Sequence, residues 1–229
     1  MDLVAVVLSA LAGALVAPRL YAVSQRVPVR AGTAGEPSTA KRATVPPGVV
    51  RVVAPLLFGL AAVRWGASWI LLPYLFLYAV LLAISVVDIE HHRIPDRITF
   101  PALGVSVALI AAVSVIEGVP EATLRALLGG GVGYGFMLVP FLIHPRGLGY
   151  GDVKLARLMG LYLGWIFLDP VASASLVLMA LMIGSILGVV VGATLTVVRR
   201  KRAEFPFGPA LAAGCIIAIQ LSHQLIAAT

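Results

Sequence analysis

An all-α, polytopic transmembrane helix bundle of about eight spans is the fold class this sequence predicts, and three observations predict it. The chain is 60% hydrophobic and only 12% charged, with a mean hydropathy of +1.03, and a soluble domain of its length needs far more charged surface. Its apolar runs reach the roughly 20 residues that cross a bilayer. Its Lys and Arg collect in alternate loops. The runs are continuous, where a barrel strand would alternate, and a helix satisfies every backbone group within its own segment, as lipid demands.

Hydropathy places the spans at about 3–20, 49–63, 69–87, 98–116, 123–143, 155–168, 171–198 and 206–227. The second and sixth are short for a full crossing, and the seventh is long enough to tilt or project. The first lacks a basic leader and a clear small-residue cleavage site, so it is expected to be a retained span. The stretch 25–47, rich in Gly, Pro, Ser, Thr and Arg, reads as a flexible loop inside a single integral membrane domain of residues 1–229. No internal repeat is evident, which weighs against an inverted-repeat transporter.

Charge placement tests that layout. With the N-terminus outside, every Lys and Arg from Arg19 to Arg202 except Arg64 and Arg125 falls on one side, which marks that side as cytoplasmic in a multi-pass cell-membrane protein. The net charge of +7 then reflects contact with anionic lipid and not with nucleic acid. Cys215, the single cysteine, lies in an apolar segment, which rules out an intramolecular disulfide or a cysteine-cluster zinc site. His91 and His92 lack zincin spacing, so neither a metal nor another cofactor is expected.

Acidic residues are few enough to weigh singly. Asp2, Glu117, Glu121 and Asp169 fall at external helix ends or loops, Glu36 in the polar loop and Glu204 after a basic run; all read as solvated charges. Asp88, Glu90, Asp96 and Asp152 remain, at or near cytoplasmic helix ends. Asp88 closes the apolar run LYAVLLAISVVD, where a carboxylate is costly unless hydrated or paired; pairing with Arg93 or Arg97 is the bland reading. Asp152 sits in GLGYGDVKL, where Gly149 and Gly151 free the backbone. For Asp152 the bland reading is a helix N-cap. Both lie at the same membrane face.

Two carboxylates in one small volume cannot both ionise cheaply, so the pair shares a proton. The ionised member can draw a proton from water as it attacks a peptide carbonyl, while the protonated member donates to the carbonyl oxygen. Sequence does not say which Asp takes which part, since such a pair titrates as a unit.

The segment DIEHHRIPD, at 88–96, resembles the first aspartate motif of the type IV prepilin peptidases. GYGDVKL, at 149–155, is similar to their GxGD motif followed by Val-Lys, and FPFGP, at 205–209, to a third family stretch near the last helix. The resemblance runs from the third span to the end. It implies a GxGD aspartyl protease-like bundle with Asp88 and Asp152 as the catalytic pair, set in supporting loops that hold Pro95, Asp96, Gly149, Gly151 and Lys154. Asp96 is expected to cap the fourth span, and Lys154 to anchor the cytoplasmic face beside Asp152, where it can tune that carboxyl. Gly129, Gly130, Gly131, Gly133 and Gly135 are expected to let helices approach closely.

The implied activity is an aspartic endopeptidase that removes the short basic leader of type IV prepilins at the cytoplasmic face, cutting after Gly at the edge of a hydrophobic helix. Many members carry two CxxC pairs that bind zinc in a larger N-terminal loop, a region implied in N-methylating the product. Here 25–47 has no cysteine, so leader cleavage without methylation is expected. The chain is similar to short forms attached to Tad-type pili or to Gram-positive DNA uptake. Two other readings stand beside this one. A presenilin-like protease shares GxGD, although Val87 stands where that pattern has Tyr. A transporter or pilus assembly factor would use the two carboxylates as a proton relay.

Overall fold

The computed structural model describes residues 2–26, 44–144, 148–166, 169–199 and 206–227. Within them the chain forms eight helices and no strand: α1 (Leu3–Gln25), α2 (Pro47–Trp65), α3 (Leu71–His91), α4 (Asp96–Ile116), α5 (Ala122–Ile143), α6 (Tyr150–Ile166), α7 (Pro170–Arg199) and α8 (Gly208–Ala227). Each expected span has its helix. The second is longer than hydropathy suggested, because Pro46 and Pro47 start it early and Gly66, at φ 59°, stops it late. Its 19 residues suffice for a crossing. The sixth, of 17 residues, does stay short. Six helices, α1–α5 and α7, are long and apolar enough to cross a membrane.

Much of the 25–47 loop (27–43), with Arg146, Arg200, Lys201, Arg202, Glu204 and Phe205, lies outside the described residues.

The helices run alternately up and down. At one end Glu90, late in α3, accepts hydrogen bonds from Gln25 Nε2 (2.7 Å) at the end of α1 and from the Val45 N–H (2.9 Å) before α2. At the same end Asp88 meets the start of α8, and Lys154 of α6 meets Asp96 of α4. At the opposite end Trp165 Nε1 donates to Ser114 Oγ (2.9 Å), and Arg64 lies 4.1 Å from the centroid of the Trp65 ring and bonds Ser222. Trp65 stacks on Tyr74, and Tyr74 on Trp165. The end of α1 thus lies beside the approach to α2, and the end of α2 beside the start of α3, as connections in a bundle require.

Burial sorts the helices into a centre and a shell. The most apolar stretch of α3 is 72% buried, whereas those of the other five spanning helices are between 22% and 33% buried. Helix α6 is also buried on most sides. Tyr74 and Tyr162 join these two, the Tyr74 hydroxyl donating to the Tyr162 carbonyl at 2.9 Å.

Three of the five α5 glycines do what was expected. A Cβ on Gly129 would stand 2.4 Å from the Gly160 carbonyl oxygen of α6, and one on Gly133 2.5 Å from that of Ala156. Gly130 is nearly as tight against α6, while Gly131 and Gly135 face open space.

Candidate active site

Both aspartates belong to the two central helices. Helix α3 does not stop at the boundary of its apolar run. It continues for one further turn, so that Asp88 lies inside it, and it ends where His92 takes a left-handed conformation (φ 51°) and donates its N–H to the Asp88 carbonyl at 2.8 Å. Asp88 is 5% exposed. The Asp88 carboxylate takes the N–H of Gly208, first residue of α8, at 2.8 Å. A helix N-terminus carries unsatisfied donors and partial positive charge, so this contact favours the carboxylate form. Among the described residues neither Arg93 nor Arg97 makes an ion pair with it, contrary to the bland reading.

Asp152 is 8% exposed and stands in the first turn of α6, outside the six spanning helices. Its N–H bonds the Gly149 carbonyl at 3.0 Å, and its carboxylate accepts the Gly149 N–H in return. That is the inner member of a reciprocal capping arrangement and not an N-cap. Burial raises the carboxyl from the ordinary 3.8 to about 7. The charge on Asp88 adds to the rise, and the Gly149 hydrogen bond opposes it. The field of one aspartate thus reaches the other across 64 residues of chain.

The loops around the pair are tightly fitted. A Cβ on Gly151 would come 2.7 Å from the Ile94 side chain, and one on Gly208 would come 2.9 Å from Asp88 Oδ2. Pro95 takes the N-cap position of α4, and Asp96 is already helical. The expected capping role of Asp96 is therefore corrected: its carboxylate binds the Lys154 ammonium instead. Lys154 also lies over the rings of Tyr150 (4.6 Å) and Phe100 (5.1 Å). It is thus a strap between the two motif loops more than an anchor to lipid headgroups.

Two residues escaped the sequence reading. Gly208 was present only as a letter of FPFGP, and nothing local tells that its N–H would meet Asp88. Glu90 was noticed but given no part, yet it is 4% exposed and holds both flanks of the α1–α2 connection. Its place two residues after Asp88, at a helix end rich in ionisable groups, was the available signal. Among the described residues no three His, Cys, Asp or Glu side chains cluster as metal ligands would.

Comparison with known proteins adds a family to this geometry. The model of the type IV leader peptidase family matches residues 75–193, a span that contains both aspartates. The chain is 33% identical over 175 residues to the prepilin leader peptidase/N-methyltransferase of Bacillus subtilis, which covers 76% of this chain and 66% of that protein. It is 31% identical to the protein of the same name from Pseudomonas aeruginosa, covering 59% of it. It is 34% identical over 150 residues to the leader peptidase HopD of Escherichia coli, covering 88% of it. The chain thus spans less than two thirds of the two relatives named for both activities. No solved structure matches it. On the family match and on the buried aspartate pair inside it, the chain belongs to the type IV leader peptidase family.

Proposed function

We propose that this protein is an intramembrane aspartyl endopeptidase that removes the leader from type IV prepilins, with Asp88 and Asp152 as its catalytic groups. The observation that carries the reading is that two buried carboxylates from the two central helices stand at one end of the bundle, near enough for the charge of Asp88 to act on Asp152. The Gly208 N–H at the start of α8 holds the Asp88 carboxylate, while burial and the charge of Asp88 favour a proton on Asp152, so the pair shares one proton. Asp88 then takes a proton from a water that attacks the carbonyl carbon of the last leader residue, the glycine, and Asp152 gives its proton to that carbonyl oxygen. Collapse of the tetrahedral intermediate breaks the C–N bond and passes a proton to the departing amine.

The positive-inside distribution of Lys and Arg supports a cytoplasmic location for this end. There the Gly junction of a prepilin would stand when its hydrophobic helix lies in the bilayer. Methylation is left out of the activity, because the 25–47 connection is short and free of cysteine. The fit to HopD, which is named for peptidase activity alone, is in keeping with that. On this reading the protein is a short form, similar in its cysteine-free first loop to those of Tad-type or competence-type pili.

The test is co-expression with a candidate prepilin and mass measurement of its N-terminus. Asp88→Asn and Asp152→Asn should each leave the leader uncut in full-length, membrane-inserted protein, since Asn keeps the size but cannot exchange the proton. Full cleavage by either variant would remove the aspartyl mechanism. A product heavier by one methyl group, made by this protein alone, would restore the second activity.

A further inference from the structure

On the face of α6 turned away from the aspartates, Tyr150, Lys154, Arg157 and Leu161 follow one another at helical spacing. They form one wall of a slot whose other walls are α4 and α5. Its upper part, at the aspartate end, is lined by Thr99, Phe100, Tyr134, Tyr150, Lys154 and Arg157. Leu103, Tyr134 and Arg157 continue into a second cavity of about 460 Å³, otherwise lined by Val107, Leu127, Gly131 and Leu161. The slot is polar and cationic at its head and apolar along its length.

Arg157 is the residue out of place. It is exposed and stands five residues beyond Asp152, roughly 7.5 Å further into the bundle along α6. A guanidinium facing lipid at that depth is costly unless it is neutralised. Asp96, in the first turn of α4 at this end, is already bound by Lys154. Among the described residues no carboxylate pairs with Arg157. An anion that arrives with its own apolar tail would satisfy both halves of the slot.

We infer that this slot is a binding site for an anionic phospholipid, whose phosphodiester sits on Arg157 and whose acyl chain lies between Leu103, Val107, Leu127 and Leu161. Three features fix the occupant. The polar-to-apolar order runs from the aspartate end toward the bundle middle, the orientation of a lipid from the leaflet at that end. Gly131 also has an explanation here. Unlike Gly129 and Gly133 it packs against nothing, and a Cβ there would meet open space, so the missing side chain leaves room for the tail. The planar guanidinium suits a phosphodiester, which it can grip through two N–H groups.

The test is native mass spectrometry of the full chain in detergent, titrated with dioleoylphosphatidylglycerol or dioleoylphosphatidylcholine. The wild type should retain phosphatidylglycerol about tenfold better than phosphatidylcholine. Arg157→Gln should lose that preference, with Arg157→Lys in between. Gly131→Leu fills the slot from a position where a Cβ meets open space and should reduce retention of both lipids at an unchanged melting temperature. Equal retention of the two lipids by the wild type would overturn the assignment, as would a preference that survives in Arg157→Gln. Displacement of bound lipid by inorganic phosphate would make the head a simple anion site, and photocrosslinking of a prepilin helix to position 131 would make the slot a substrate path. Either result also overturns it.

Discussion

The Asp88 carboxylate accepts the backbone N–H of Gly208, 120 residues further along the chain, at 2.8 Å. The contact has no room for a side chain, since a Cβ on Gly208 would lie 2.9 Å from the same carboxylate oxygen. Gly208→Ala must therefore push the carboxyl aside or tilt the start of α8. A displacement near 1 Å at a reacting group costs about 100-fold in rate. Leader cleavage should fall by about that much while the protein still inserts and melts near the wild-type temperature, as pulse-labelled processing assays and thermal scans will show.

Acidity provides the second expectation. Asp152 holds its proton up to about pH 7, so cleavage should decline as pH rises through that value and the pair loses the shared proton. The sign for stability follows from the same shift. The folded carboxyl binds its proton more tightly than the unfolded one, so the folded state loses stability as pH climbs from the ordinary carboxylate range near 3.8 to about 7. Asp152→Asn has no such loss. It should melt above the wild type at pH 8, with the gap closing toward pH 4. A pH-independent difference between the two melting curves would contradict this.

The strap between Lys154 and Asp96 joins the second aspartate motif to the end of the first. Breaking it should loosen the position of Asp152 without removing either of the aspartates proposed as catalytic. Asp96→Lys and Lys154→Asp should each reduce kcat, by about tenfold, with little change in KM. The double reversal should recover most of the loss. No recovery would mean that the ring contacts of Lys154 with Tyr150 and Phe100, and not the ion pair, hold the loop.

Helix contact gives a prediction about stability alone. A Cβ on Gly160 would stand 2.3 Å from the Gly129 carbonyl oxygen, so Gly160→Val must separate α5 from α6 and cost on the order of 3 kcal/mol. Gly135→Val, where a Cβ meets nothing, should be near neutral in the same detergent melts.

The sequence by itself determined the class of the protein. Continuous apolar runs leave a chain in lipid no alternative to helices, and the eight helices were legible because hydropathy is a local property, although only six of them are long and apolar enough to cross. The two aspartates were legible too. They are rare charges at apolar boundaries, and counting spans from the charge bias brings both to one end of the bundle. Helix ends were read less well. Whether Asp88 closes α3 or lies inside it, and whether Asp96 caps α4 or binds Lys154, depends on partners far along the chain. Only the tertiary structure decided what surrounds the pair. The Gly208 N–H on Asp88, the Glu90 clasp on both flanks of the first connection and the exposed guanidinium of Arg157 all come from helix packing. Packing sets which backbone group meets which side chain across 45 to 120 residues, and neither propensity nor hydropathy carries information over that distance.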